Sequence, residues 1–263
     1  MKDILTLGVD IGSSASKCVL LRNGKEIVAN EIISVGAGTS GPARVMAKTF
    51  EKAGVNAESI DYICATGYGR FSLKEANKEV SELSCHAKGA AFLFAGVRTV
   101  IDIGGQDVKA LELDEQGRLH NFVMNDKCAA GTGRFLDVMA RVLEVDIADL
   151  AHLGSQSEKS VSISSTCTVF AESEVISLLA KGEAIPDVIN GIHKSVAGRV
   201  AGLAKRVGVR PLLVMTGGVA QNSEVVRYVS EALTTPIDTS PMSQFNGALG
   251  AAIYAFEAAS QAK

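Results

Sequence analysis

The sequence predicts an α/β chain laid down twice on one plan. Three observations carry that prediction. First, Asp10-Ile-Gly-Ser-Ser-Ala-Ser-Lys17 returns 92 positions later as Asp102-Ile-Gly-Gly-Gln-Asp-Val-Lys109, and five of twelve positions agree between Asp10–Leu21 and Asp102–Leu113. Second, each copy is led by a short apolar run, Ile4–Val9 or Thr99–Ile103. Third, each copy is followed by stretches with apolar residues at helical spacing. A repeat of this kind means a duplicated structural unit.

The elements follow in order. Ile4–Val9 reads as a strand, and a small-residue turn leads to a second strand at Lys17–Leu21. Asn23-Gly24 is a strong hairpin signal because both residues tolerate positive φ. It leads into a third strand, Glu26–Ile33. Gly41–Ala53 has helical periodicity, Asp61–Ala65 is a strand, and Glu75–Phe94 is mostly helix. The second copy repeats the order with strands at Thr99–Ile103, Lys109–Leu113 and Arg118–Met124, then a helix over Lys127–Val145. A strand at Val161–Ser164 and helices at Val169–Lys181 and Pro186–Val207 come next. Leu212–Met215 is a buried strand ending at Thr216-Gly217-Gly218, and Glu224–Leu233 and Asn246–Ala259 are the last helices. The boundary near Gly96–Thr99 rests on the repeat alone.

Composition narrows the function. Lys+Arg is 26, Asp+Glu is 29 and the net charge is −3. That balance argues against general binding to nucleic acid or an anionic membrane surface. The 263 residues, 47% hydrophobic, suffice for a sizeable core. Glycine is abundant at 26 while proline is only 5, which suits close backbone approaches inside regular structure. No secretory signal is expected after Met1-Lys2-Asp3, and the weakly polar stretch Gly89–Val97 is too short to span a bilayer. Five cysteines with no CxxC point to a reducing cytoplasm.

The repeated turns carry the chemistry. A glycine after a strand-end aspartate lets backbone N–H groups approach a phosphate. Hydroxyls of Ser13, Ser14 and Ser16 can add to that cradle, and the aspartate can hold hydrated Mg²⁺. A lone Asp-Ile-Gly reads as well as a plain hairpin turn. Two copies, each followed by a lysine, favour a triphosphate clamp made of Asp10, Gly12, Ser13, Ser14, Lys17 and Asp102, Gly104, Gly105, Gln106. Gly217, Gly218 and Gln221 form a third turn that suits a flat ring or a ribose. No P-loop or dinucleotide fingerprint is present.

Cys128 and Cys167 are both expected after a strand and at a helix start, where partial positive charge favours thiolate. Two thiolates are half of a [4Fe–4S] ligand set, and a two-fold dimer would supply the rest. Inert, small apolar side chains remain the other reading. Cys18, Cys64 and Cys85 are expected in the core. Glu82 and His86, four apart on one helix face, leave open a metal pair or a satisfied contact. His120, His152 and His193 suggest nothing.

Two Asp-x-Gly hairpins and a late Gly-Gly turn resemble the actin, Hsp70 and sugar-kinase superfamily. That resemblance implies two RNase-H-like domains with a nucleotide cleft between them. Domain I would cover 1–97, rejoined by the helix at 246–263, and domain II 98–245. Four segments narrow the resemblance: Ala65-Thr-Gly-Tyr-Gly-Arg70, Asp102-Ile-Gly-Gly-Gln-Asp107, Lys127-Cys-Ala-Ala-Gly-Thr-Gly-Arg-Phe135 and Cys167-Thr-Val-Phe-Ala-Glu-Ser-Glu174. These look like the activators (component A) of 2-hydroxyacyl-CoA dehydratases, in the BadF/BadG/BcrA/BcrD ATPase family. The length suits stand-alone activators of the 2-hydroxyglutaryl-CoA dehydratase kind.

The resemblance implies an ATPase that passes one electron from ferredoxin or flavodoxin to a dehydratase (component D). It further implies a homodimer sharing one [4Fe–4S] cluster held by Cys128 and Cys167, with ATP/ADP as nucleotide and Mg²⁺ held through water by Asp10 and Asp102. Gln106 would orient the attacking water. The alternatives are a subunit of a benzoyl-CoA-reductase-type complex, an N-acetylhexosamine kinase using Asp126 or Asp107 as base, and a non-enzymatic actin-like module.

Overall fold

The computed structural model describes residues 3–159, 161–164 and 167–261. The chain divides into two compact units: Met1–Gly96 with Leu113–Leu119 and Gln244–Lys263, and Val97–Glu112 with His120–Ser243.

The first unit is built on strands β1 (Leu5–Ile11), β2 (Ser16–Arg22), β3 (Glu26–Ile33), β4 (Tyr62–Thr66) and β5 (Lys78–Glu79). They form one sheet in the order β3-β2-β1-β4-β5. β1 runs antiparallel to β2 and parallel to β4. Asn23 and Gly24 take φ of 54° and 68°, which matches the right-handed twist of the strands they join. Helices α1 (Gly41–Ala53), α2 (Glu82–Leu93) and α8 (Asn246–Gln261) belong to this unit. α1 begins with Pro42 in its first turn and stops at Gly54 in the left-handed region, as proline and glycine favour.

α8 reaches β1 and α2 almost backbone to backbone. A Cβ on Gly8 would collide with the Ala248 carbonyl, and one on Gly250 with the Cys85 carbonyl. Thr6 Oγ1 donates to the Ala252 carbonyl at 3.1 Å. The small residues of Asn246-Gly-Ala-Leu-Gly-Ala251 therefore make this packing possible.

The second unit repeats the topology. Its strands are β6 (Thr99–Ile103), β7 (Val108–Leu113), β8 (Leu119–Asn125), β9 (Leu213–Thr216) and β10 (Ile237–Asp238). Their order, β10-β9-β6-β7-β8, is that of the first sheet read from the other edge. Helices α3 (Gly133–Val142), α4 (Leu150–Ser155), α5 (Thr168–Ala180), α6 (Ile185–Val207) and α7 (Ser223–Leu233) complete it. Its core gathers Ile101, Ile103, Phe135, Met139, Val188, Ile192, Val196 and Met215, all fully buried. Among the described residues no helix is long and apolar enough to cross a membrane.

Glu75–Phe94 is mostly helix as expected, but only from Glu82: Lys78–Glu79 pairs with β4, Asn77 Oδ1 takes the Ile63 N–H at 2.7 Å, and α2 starts only after the Ser81 cap. Two expectations are corrected. The helix expected over Lys127–Val145 begins at Gly133, because Gly131 holds φ at +89° and breaks the run. Val161–Ser164 is not a strand; the Ser164 N–H meets the Glu174 carboxylate at 3.1 Å and not a ladder partner. The short α4 and the two-residue strands β5 and β10 carry too few residues for a periodicity to show.

Candidate functional site

The two halves of the repeat become the same local structure. In the β1–β2 hairpin Asp10 lies directly opposite Lys17, and in the β6–β7 hairpin Asp102 lies opposite Lys109. Both turns close with one hydrogen bond, Gly12 N to Ala15 O and Gly104 N to Asp107 O, each 3.0 Å. Each hairpin thus places a buried carboxylate and a lysine beside a glycine turn.

In the first unit Lys17 Nζ is 3.3 Å from Asp10 Oδ2. Asp10 is 3% exposed, and its Oδ1 is buried with no hydrogen-bond partner among the described residues. Such an oxygen is costly to leave dry. Gly67 has φ +84°, and a Cβ there would come within 2.5 Å of that same oxygen; only glycine leaves the space open. Ser13 and Ser14 are exposed at the turn, and Gly12 is half-buried. Ser16 departs from expectation: it is fully buried and donates to the Val35 carbonyl at 2.8 Å, so its hydroxyl is spent on the fold.

In the second unit Asp102 Oδ1 accepts from Thr216 Oγ1 at 2.8 Å, and its Oδ2 is 3.5 Å from Lys109 Nζ. Lys109 is 1% exposed and also meets Asp107 Oδ2 at 2.7 Å. Two carboxylates offset the cost of burying its ammonium. Gly105 and Gln106 are exposed at the turn. Gly217 has φ +85°, and a side chain there would strike the Ile103 carbonyl. Its N–H donates to the Ser243 carbonyl at 2.9 Å. Gly218 and Gln221 are exposed on the following single turn.

α7 is capped by Asn222, whose Oδ1 takes the Val225 N–H at 3.0 Å. The Asn222 Nδ2 faces His193 Nε2 at 3.1 Å. Burial holds the His193 imidazole down at about 4, so it is neutral at pH 7. His193 therefore buttresses the Gly-Gly turn, a role its isolated place in the sequence did not suggest.

The cysteines separate cleanly. Cys18, Cys64 and Cys85 are buried, and burial pushes their thiols far up, to about 12 for Cys64. Cys128 and Cys167 are exposed. Cys167 is the N-cap residue of α5; the strand expected before it is absent, and residues 165 and 166 lie outside the described residues. Cys128 is not at a helix start: it lies in the loop between β8 and α3, its carbonyl accepting from Asn125 Nδ2 at 3.1 Å. The helix-terminus argument therefore holds for position only at Cys167.

That loop is tied to the second hairpin. The first free N–H groups of α3, on Gly133 and Arg134, donate to the carbonyls of Gly104 and Gly105 at 2.9 and 2.8 Å. The orphan donors of a helix start are thus satisfied by the turn itself. Neighbours of the aspartates that sequence reading missed are Thr216, Gly67 and Gly247, the last two visible only as glycines after a strand and at a helix start.

Duplicated five-strand sheets, each with an Asp–Lys hairpin at its centre, define the fold of actin-like ATPases and sugar kinases. Distant solved structures agree on the fold, among them a ROK family glucokinase from Streptomyces griseus at TM-score 0.59 and 13% identity over 96% of this chain and 99% of that one. The chain belongs to the BadF/BadG/BcrA/BcrD ATPase family, whose model matches residues 7–255.

Among its relatives is the (R)-2-hydroxyglutaryl-CoA dehydratase activating ATPase of Acidaminococcus fermentans. The two are 60% identical over 98% of this chain and 99% of the relative, and the crystal structure of that component A superposes at TM-score 0.95. The activator of the 2-hydroxyisocaproyl-CoA dehydratase from Clostridium difficile, solved with bound ADPNP, gives TM-score 0.97 at 55% identity, over 98% of this chain and 97% of that one. One subunit of the benzoyl-CoA reductase of Thauera aromatica is 33% identical over 95% of this chain and 92% of its own length.

Proposed function

We propose that this chain is an ATP-hydrolysing iron–sulfur activator that passes one low-potential electron from a ferredoxin or flavodoxin to a 2-hydroxyacyl-CoA dehydratase. The observation that carries the reading is full-length similarity to dehydratase activators, one of them solved with ADPNP. The higher identity to activators than to the benzoyl-CoA reductase chain favours the stand-alone role.

The residues fit the nucleotide and its metal. Asp10 offers a buried oxygen with no hydrogen-bond partner among the described residues, beside a glycine that keeps the space open. Asp10 and Asp102 would hold Mg²⁺ through water, since Mg²⁺ keeps several waters and few protein carboxylates. Mg²⁺ supplies charge neutralisation at the phosphates. Lys17 adds positive charge, and the backbone of Gly12, Gly104 and Gly105 with the hydroxyls of Ser13 and Ser14 cradles the phosphates. Gln106 is free to orient the attacking water, and positioning supplies most of phosphoryl-transfer catalysis. Gly217, Gly218 and Gln221 receive the nucleoside.

The donor set also fits an iron–sulfur cluster, with one condition. Among the described residues no group of three or more His, Cys, Asp or Glu could hold a metal, and only Cys128 and Cys167 are exposed thiols. A [4Fe–4S] cluster takes four thiolates, so a homodimer with Cys128 and Cys167 from each chain would hold one. The cluster, when bound, stores and releases one electron. The bonds from the Gly104 and Gly105 carbonyls to α3 give the hairpin a route to the Cys128 loop. We assign 1–97 with 246–263 to domain I and 98–245 to the cysteine-bearing domain II, and place the protein in the cytoplasm.

Anaerobic purification tests the reading. We expect brown protein with about two irons per chain, ATPase activity, and ATP-dependent activation of a partner dehydratase. Colourless, iron-free protein would return the chain to the kinase alternative, and four irons held by a monomer would exclude the shared cluster.

A further inference from the structure

Each half of the repeat sets a fully buried threonine beside its aspartate. β4 runs parallel to β1 with Thr66 paired to Asp10, and β9 runs parallel to β6 with Thr216 paired to Asp102. The two hydroxyls are spent differently. Thr66 Oγ1 donates to the Val80 carbonyl at 3.0 Å, and Asp10 Oδ1 has no hydrogen-bond partner among the described residues. Thr216 Oγ1 lies 2.8 Å from Asp102 Oδ1. An ionised carboxylate only accepts, so the threonine is the donor, and a hydrogen bond to a charged acceptor is among the stronger ones.

The backbone that carries Thr216 is held on both sides. Ser243 Oγ donates to the Met215 carbonyl at 3.1 Å, and the Gly217 N–H donates to the Ser243 carbonyl at 2.9 Å. A β-branched side chain on a fixed strand has few rotamers, so its hydroxyl is aimed before any ligand arrives. Asp102 Oδ2 meets Lys109 Nζ at 3.5 Å from the strand on the other side of β6. Contacts from β9 and β7 thus reach the two oxygens separately. A carboxylate addressed at both oxygens cannot turn about its Cβ–Cγ bond without breaking one of the two.

We propose that Thr216 is a positioning residue for ATP hydrolysis, whose hydroxyl fixes the plane of the Asp102 carboxylate. The proposal rests on the ATPase reading and deepens it. Thr216 acts through Asp102 and touches no reacting atom. It also directly precedes Gly217 and Gly218, so the turn assigned to the nucleoside and the carboxylate assigned to the hydrated metal meet at one side chain. Without the hydroxyl, Oδ1 stays buried and loses this donor, which is costly, and the carboxylate turns to find another. A carboxylate turned out of place loses rate more than binding, because positioning is needed most in the transition state.

The test uses the holo-protein and three variants. Thr216→Val keeps the shape and deletes the hydroxyl, Thr216→Ser keeps the hydroxyl and deletes the methyl, and Thr216→Ala deletes both. Thr216→Val and Thr216→Ala should lower kcat for ATP hydrolysis roughly tenfold to a hundredfold. The Kd for a non-hydrolysable ATP analogue with Mg²⁺ should stay within about twofold of the parent in both, as loss of a transition-state contact requires. Thr216→Ser should retain most of the parental rate, although it packs less well than valine. If Thr216→Val fails to fold, the serine and alanine variants, which differ by the hydroxyl alone, decide the same question. Parental kcat in Thr216→Val, or Thr216→Ser as slow as Thr216→Ala, would overturn the proposal, because the side chain would then matter only as packing or not at all. A loss of analogue binding as large as the loss of kcat would overturn it too. A parent protein that hydrolyses no ATP would overturn the proposed function, and this inference with it.

Discussion

Acidification should unlock the Gly-Gly turn through His193. The perturbation is a fall in pH from 7 to 4. In the folded chain His193 is fully buried, its Nε2 accepts from Asn222 Nδ2, and burial holds its titration at about 4 against an ordinary 6.5. Protonation would put an N–H against the Asn222 amide donor and a charge into the core. The folded value lies below the unfolded one, so the unfolded chain takes up its proton first. Stability is therefore fully present above about pH 6.5 and is lost as pH falls toward 4, with no further loss from this group below that. The gap of about 2.5 units, at roughly 1.4 kcal/mol each, comes to about 3 kcal/mol. Urea unfolding at several pH values measures it in the parent and in His193→Gln. The variant should be less stable at pH 7 but should lack this slope, so the two curves converge on acidification. Parallel curves between pH 6.5 and 4 would refute the assignment.

The remaining predictions concern the hairpins and the cysteines. Asp10→Asn and Asp102→Asn should each abolish ATP hydrolysis while leaving iron content unchanged, measured by phosphate release and metal analysis; near-parental turnover in both would remove the paired-hairpin clamp. Cys128→Ser or Cys167→Ser should each lose the iron and loosen the dimer, because symmetry deletes two ligands at once. Cys18→Ser, Cys64→Ser and Cys85→Ser should keep the iron at a cost of about 1–3 kcal/mol for a buried hydroxyl. An ATP analogue and ADP should give different rates of iron removal by a chelator, since a ligand shifts an equilibrium only by its differential affinity for the two states; identical rates would sever nucleotide from cluster.

Much of this was legible in the sequence because strands are local. An Asp and a Lys seven residues apart around a four-residue turn fall opposite each other once the hairpin closes, and the repeat showed that happening twice. Asn23-Gly24 dictated its own turn. What stayed hidden was set by residues far apart in the chain. The start of α3 is decided by Gly104 and Gly105, whose carbonyls take its first N–H groups from nearly thirty positions upstream; helical periodicity ran on through Cys128 and gave no sign of the stop. The demand at Ser164 is met by Glu174 in the next helix. His193 stands alone in sequence, and its meaning comes from the asparagine at the start of α7.

The two hairpins share a register but not a chemistry. Asp102 is saturated: Thr216 holds one oxygen, Lys109 approaches the other, and Asp107 divides the lysine. Its turn is further locked by the first N–H groups of α3. Asp10 meets Lys17 at one oxygen, and its other oxygen has no hydrogen-bond partner among the described residues. A carboxylate already paired on both oxygens gains little from a hydrated cation and gives up more to reach it, whereas one with a dry oxygen gains a partner outright. Duplication thus supplied two similar turns whose surroundings drive them apart. On the proposed reading, a hydrated metal would gain more at the first hairpin. The second is tied to the helix that follows the Cys128 loop through the carbonyls of Gly104 and Gly105. If the roles divide this way, Mg²⁺ should tighten the binding of an ATP analogue less in Asp10→Asn than in Asp102→Asn, and Asp102→Asn should cost more stability.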